Sequence, residues 1–362
     1  MKRILINTPD FSLQGGVSMY YSTIKTYLPD NIDYFHYGKN IEIKNSVIKS
    51  LLKLFNDFKK FTKLLNTGKY ELIVLNPSLG FSALIRDGIF CWLAKKKKLI
   101  VVIYWRGWNV EKEKYILRFP YSLYYRFSIK IADAMIVLNS IVKNTLIKSG
   151  YTRKIFYGTT VADDYLFEKQ NLMKDNNYFN ILFLARVERY KGVYELIEAY
   201  KYLKKKYAQL TLTIAGDGKE LENIKKIIHD EDINDINIAG FVDGNEKRIV
   251  FNKASCYVFP SYSEGMPNSV IEAMACELPV VTTKVGGIID FFVENKMGLF
   301  IDKRSVSSII EKVSLIFDNP EMCITFGKIN YEYASKHFKA SVVARNYNVL
   351  LNSIIREKII SG

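Results

Sequence analysis

Between residues 259 and 287 the chain reads FPSYSEGMPNSVIEAMACELPVVTTKVGG. Two carboxylates, Glu264 and Glu272, stand eight residues apart, the first among turn formers and the second in a helix-like run. Gly265 and Pro267 predict a tight turn after a strand. A helix through Ile271, Glu272 and Met274 follows, with Asn268 or Ser269 as its cap. The start of a helix offers unpaired backbone N–H groups and the positive end of the dipole, so the amides from Gly265 and Met266 to Ser269 suit a phosphate. Glu264, just before them, can accept hydrogen bonds from sugar hydroxyls, and Glu272 can reach a ribose. Glu272 also has a purely structural reading, because Ser269-Val270-Ile271-Glu272 forms an S-x-x-E capping box. Glu264 has no such alternative.

Two cations complement this stretch. In LARVERYKG (184–192), Arg186 and Lys191 fall at a strand-to-helix turn, where they can neutralise a diphosphate, the arginine bidentately; taken alone, an Arg and a Lys at a turn are usually solvated. In QGGVSMYYSTIKTYL (14–28), Gly15 and Gly16 precede a helix and permit close approach of a sugar and its phosphates to the backbone. Trp105 and Trp108 flank Arg106 in VVIYWRGWN (101–109), and aromatic faces suit sugar rings; their structural alternative is packing. HDED (229–232) imitates a D-x-D metal site, but it lies in a polar link and reads as a solvated loop, so no metal is expected. IAGDGKEL (214–221) has Leu221 where a dinucleotide fingerprint needs its third glycine.

The elements that must position these groups alternate. Continuous apolar runs at 3–7, 72–76, 99–105, 134–139, 179–185, 210–216, 236–242, 256–261, 278–283 and 298–302 read as strands separated by helical patterns. Such runs between helices predict parallel sheets covered on both faces, with ligands beyond the carboxyl ends of the strands. A chain of 362 residues is expected to form two domains. The polar stretch 168–178 is the expected linker, between an N-terminal domain over 1–167 and a C-terminal domain over 179–337.

Charge separates the two halves. Residues 1–170 hold 27 Lys and Arg against 13 Asp and Glu, a net of +14, whereas residues 171–362 hold 25 against 24. The first half is expected to face something anionic. A basic amphipathic helix over 45–66 carries Ile48, Leu51, Leu52, Phe55, Phe58 and Leu65 on one face, expected to pack in the core. Lysines on its other faces could draw an anionic lipid surface. No apolar run approaches the ~18 residues of a membrane span. Cys91, Cys256, Cys276 and Cys323 form no paired framework, which suits reduced thiols in the cytosol.

SEGMPNSVIEAMACELPVVTTKVGG resembles the E-x7-E signature of retaining GT-B enzymes, specifically glycosyltransferase family 4, and LARVERYKG resembles that family's strand-end Arg and Lys. The resemblance covers nearly the whole chain. It implies a GT-B architecture, two Rossmann-like doubly wound α/β domains facing a cleft, with a C-terminal helix (338–362) returning to the N-terminal domain. It implies transfer of a sugar from a nucleotide diphosphate sugar, UDP favoured over GDP, to a glycan or lipid-linked glycan of bacterial surface polysaccharide, with no cofactor. Glu264, Arg186 and Lys191 would be catalytic. Gly15, Gly16, Gly265 to Ser269 and Glu272 would hold the donor, with Phe241 and Val242 near its base or simply in the core. The protein would be cytoplasmic and peripheral on the inner face of the cell membrane. One departure stands out: many members carry a His after the central N-domain strand, whereas this chain has Arg106, which stays protonated and cannot act as a general base. The alternatives are a nucleotide-sugar epimerase of the same fold, which should place catalytic carboxylates in the N-terminal domain, and a non-catalytic glycan or nucleotide binder. A nucleic-acid partner is not expected, since no recognised module accompanies the charge.

Overall fold

The computed structural model describes residues 2–13, 15–37, 47–168 and 177–361, and the expected linker therefore lies largely outside the described residues. The chain divides into two compact units, residues 1–160 with 341–362, and residues 161–340.

The first unit runs β1 (Arg3–Pro9), α1 (Gly16–Ile24), β2 (Ile32–Tyr37), α2 (Val47–Leu65), β3 (Tyr70–Leu75), α3 (Phe81–Lys96), β4 (Ile100–Trp105), α4 (Lys114–Leu117), α5 (Tyr121–Phe127), β5 (Ala134–Val137), α6 (Ser140–Lys148) and β6 (Ile155–Tyr157). The second runs β7 (Phe179–Leu184), α7 (Val193–Lys206), β8 (Leu210–Ala215), α8 (Leu221–Asp230), β9 (Ile236–Gly240), α9 (Gly244–Lys253), β10 (Cys256–Phe259), α10 (Asn268–Ala275), β11 (Val280–Thr283), β12 (Gly298–Ile301), α11 (Val306–Phe317) and α12 (Pro320–His337). Helix α13 (Ala340–Ser361) belongs to the first unit from Ser341 onward, where the Tyr347 hydroxyl meets that of Tyr21 at 3.1 Å and Lys154 pairs with Glu357 at 2.7 Å.

Each unit holds one six-stranded sheet, ordered β2-β1-β3-β4-β5-β6 and β12-β11-β10-β7-β8-β9, with every pairing parallel. Central strands are buried on both faces, which is why their sequences are almost unbroken apolar runs. The order reverses between β1 and β3 in one sheet and between β7 and β10 in the other. At such a reversal the connections leave the sheet in opposite directions and open a crevice beyond the carboxyl ends of the strands.

Several sequence expectations need correction. The division falls between Thr160 and Val161, earlier than the expected end of the first domain at 167. Ala162, Leu166 and Phe167 are buried in the second unit's core, and their apolar side chains place this segment there. Strands β2 and β6 escaped the sequence reading. Both lie at sheet edges; β2 mixes Asp33 and His36 into its pattern and β6 has only three residues. The apolar face of α2 is only partly core. Phe61 and Leu65 are buried and Phe58 stacks edge-on to Phe90, but Leu52 and Phe55 stand 64% and 69% exposed. The side chains of Ile48 and Leu51 lie outside the described residues.

Candidate functional site

The crevice of the second unit lies between the loops that follow β7 and β10. The loop after β10 is stitched to its neighbours through the backbone. The Tyr262 amide donates to the Tyr190 carbonyl at 2.9 Å, Thr283 Oγ1 donates to the Ser261 carbonyl, and the Gly287 amide donates to the Gly265 carbonyl at 2.7 Å. Gly286 shows why the stretch ends in Gly-Gly. Its φ is +54°, and a Cβ there would meet the carbonyl oxygens of Glu264 and Gly265 at 2.3 and 2.5 Å. Gly192, with φ +77°, likewise lets the other loop lie against the Pro260 carbonyl.

These constraints bring together two of the residues singled out in the sequence, 73 positions apart. Lys191 Nζ donates to Glu264 Oε1 at 2.5 Å, and Ser261 Oγ donates to the same oxygen at 2.6 Å. Both charged side chains are only 12% exposed. Removing one partner of a pair this deep strands the other charge, typically at a cost of about 3–5 kcal/mol. Arg186, two residues past the end of β7, is not part of that pair. Its side chain is 72% exposed, with Glu188 at 3.8 Å. A largely enclosed ion pair thus sits at the mouth of the sheet reversal, with an open guanidinium on the same loop.

Helix α10 begins at Asn268, with Pro267 in the cap position and no side-chain cap. Asn268 and Ser269 are therefore helical residues rather than caps, and the Ser269 hydroxyl accepts from Tyr257 Oη at 2.7 Å. This removes the capping-box reading of Glu272. With Ser269 already inside the helix, Glu272 lies too far along to return to a cap amide. Its Oε1 instead receives Lys247 Nζ at 3.2 Å, and both residues are buried. Met266 is half-buried against the core and Pro267 is buried. After β9, Val242 is core but Phe241 presents its ring, 60% exposed. Sequence reasoning missed Ser261 and Lys247. A hydroxyl three residues before Glu264 was a usable signal, and so was a lysine in the first turn of a helix, where the dipole disfavours cations.

The first unit's crevice is built differently. Gly15 is extended at φ 173° and Gly16 opens α1 with no side-chain cap, and a Cβ added to Gly16 would meet nothing within 4 Å. These glycines are not forced by conformation; they leave the end of the helix bare. Beyond β4, side chains alternate. Trp105 faces the core, 1% exposed, with its indole N–H directed at Met135 Sδ, so it is not available to a sugar. Trp108 packs edge-on against it at 5.3 Å and donates to Glu113 at 2.8 Å. Tyr104 and Arg106 share the opposite face. The Arg106 guanidinium lies 3.5 Å from the Tyr20 ring centroid and 5.0 Å from that of Tyr104, and Nη1 donates to the Thr159 carbonyl at 3.2 Å. Among the described residues no carboxylate pairs with it.

At the surface, HDED closes α8, where His229 is 90% exposed beside Asp230. No helix among the described residues is long and apolar enough to cross a membrane.

With this geometry in view, residues 164–333 match the family model of glycosyl transferases group 1. The chain is 23% identical over 324 residues to the capsular polysaccharide biosynthesis glycosyltransferase CapM of Staphylococcus aureus, covering 86% of this chain and 84% of that one. It is 29% identical over 233 residues to the alpha-monoglucosyldiacylglycerol synthase of Acholeplasma laidlawii, covering 62% of this chain and 56% of the synthase. Its fold is similar to that of Anabaena HepE, solved in complex with UDP, with a TM-score of 0.78 at 16% identity over 98% of this chain and 100% of HepE. It is also similar to that of sucrose-phosphate synthase from Thermosynechococcus elongatus, with a TM-score of 0.77 at 17% identity over the whole of both chains. The fold is GT-B, residues 164–333 match the glycosyl transferases group 1 family, and the comparisons support a glycosyltransferase.

Proposed function

We propose that the protein is a retaining glycosyltransferase of family 4 type that moves a sugar from a nucleotide diphosphate sugar to a glycan acceptor. The observation that carries this reading is the Lys191–Glu264 pair at the carboxyl ends of β7 and β10, where the sheet order reverses. As the bond to the anomeric carbon breaks, negative charge grows on the departing diphosphate. Lys191, the open guanidinium of Arg186 and the turn leading into α10, from Gly265 to Ser269, are the groups fitted to receive it. Glu264, held by Lys191 and Ser261, faces the sugar and favours positive charge at its anomeric carbon. Because protein cations carry out the neutralisation, the reading requires no metal. Glu272 meets the ribose, and the exposed ring of Phe241 suits the face of the base. Gly15 and Gly16 give the sugar and its phosphates room at α1. Arg106, a cation without a protein carboxylate among the described residues, suits an acidic group on the acceptor.

The names of similar proteins guide the substrates. CapM belongs to capsular polysaccharide synthesis, the Acholeplasma enzyme makes a glycolipid, and HepE was solved with UDP. We accordingly favour a UDP-sugar donor and a lipid-linked acceptor at the inner face of the cell membrane. The first half's charge supports that site. So do exposed apolar side chains beside arginines and lysines, namely Leu52 and Phe55 on α2, and Phe119, Leu123 and Phe127 around α5 with Arg118 and Arg126.

The test is a transfer assay with a panel of UDP- and GDP-sugars and lipid-linked acceptors, read by product mass and by the anomeric coupling of the new linkage. Transfer with retained anomeric configuration in EDTA is expected. An inverted linkage would overturn the retaining assignment. Conversion of the donor to an epimer without transfer would favour the epimerase.

A further inference from the structure

The carboxylate of Glu272 is held on one side only. Lys247 Nζ meets Oε1 at 3.2 Å, whereas Oε2 has no hydrogen-bond partner among the described residues and is not sealed from solvent. The same ammonium reaches Asp243 Oδ1 at 3.2 Å. The Lys247 and Glu272 side chains are 10% and 9% exposed, while that of Asp243 is 69% exposed. Lys247 therefore ties the loop after β9, which carries Phe241 and Asp243, to helix α10, which carries Glu272.

Fold stability does not explain this arrangement. A buried ion pair is often no more stabilising than apolar residues of the same volume. Lys247 also lies in the first turn of α9, where the helix dipole works against a cation. A lysine buried at the wrong end of a helix, spending its charge on a carboxylate whose other oxygen stays open, is placed for what that carboxylate does. On the reading that Glu272 accepts from the donor's ribose, we infer that Lys247 is a positioning residue. It anchors Oε1 so that Oε2 is presented to the ribose hydroxyls at a fixed distance from the loop bearing Phe241. Burial pushes the Lys247 ammonium toward neutrality, but Glu272, Tyr165 and Asp243 outweigh it and its pKa is raised, so the anchor stays charged.

The role predicts a loss confined to the ribose. Calorimetry would compare UDP with 2′,3′-dideoxy-UDP, and GDP with its dideoxy form, on the full-length wild type and on Lys247→Met, Lys247→Gln, Lys247→Arg, Glu272→Gln and Lys247→Met/Glu272→Gln. Melting curves would confirm that each variant is folded. Lys247→Met should weaken the natural nucleotide by roughly tenfold or more and leave the dideoxy form within about twofold. Lys247→Arg should recover most of the loss, and Lys247→Met should add little on the Glu272→Gln background. If Lys247→Met does not fold, Lys247→Gln carries the same comparison. Equal weakening of natural and dideoxy nucleotides, full additivity with Glu272→Gln, or unchanged binding in both neutral variants would overturn the inference. A folded wild type that binds neither nucleotide would instead overturn the reading of a nucleotide-sugar site on which the inference rests.

Discussion

The two units carry similar sheets but finish their crevices in opposite ways. At the β7/β10 reversal the loops are locked to one another. Backbone bonds join Tyr262 to Tyr190 and Gly287 to Gly265, and Lys191 already holds Glu264 in an ion pair. At the β1/β3 reversal the loop ends in two glycines at the start of α1. Gly15 and Gly16 carry no side chain, and Arg106, beyond β4, rests on tyrosine rings without a protein carboxylate among the described residues. A crevice locked in this way would meet charge developing in the proposed reaction without rearranging its dipoles and cations. The open one leaves space and a cation to be completed by whatever arrives.

The sharpest way to break this contrast is to unlock the second unit. Lys191→Ala should lower kcat by about 10²-fold or more once rates are normalised to the folded fraction. Single-turnover kinetics on the folded variant checks this, and a rate near that of wild type would mean that the pair is structural. Gly286→Ala attacks the same lock through the backbone. A left-handed φ and two carbonyl contacts well under 3 Å should cost about 1–3 kcal/mol in urea unfolding. A variant as stable as wild type would show that the close approach to Glu264 is not needed. The smallest effect belongs to the open side. Gly16→Ala, whose Cβ meets nothing, should change stability by no more than about 0.5 kcal/mol while, on the proposed reading of Gly16 as a donor contact, still reducing transfer. Unchanged transfer would remove Gly16 from the site.

How legible each crevice was in the sequence follows from how local it is. The second unit's main pieces lie within 259–287 and 184–192, and each can be read as strand, turn and helix from its own residues. What could not be read was the partnering. Nothing local says that Lys191 reaches Glu264, or that Glu272 is met by Lys247 rather than by a capping box, because sheet order sets those contacts. In the first unit, Trp105 and Arg106 are adjacent and equally plausible as sugar contacts, and only the alternation along β4 separates them into core and crevice. The amphipathic pattern of α2 fixed its helical state but not how much of its face is covered, since Leu52 and Phe55 follow the same period as the buried Leu65. Edge strands β2 and β6 lack the unbroken apolar signature because each has one neighbour instead of two.

The central claim is that Glu264 sits in its loop to act on a sugar. Glu264→Gln tests it most directly, because the amide oxygen can still accept from Lys191 and Ser261 and so keep the lock largely intact. The measurement is the transfer rate of this variant beside its calorimetric affinity for the free nucleoside diphosphate. The account predicts that transfer falls by about 10²-fold or more while nucleotide affinity stays within about threefold of wild type. A folded Glu264→Gln protein that transfers sugar at the wild-type rate would contradict it.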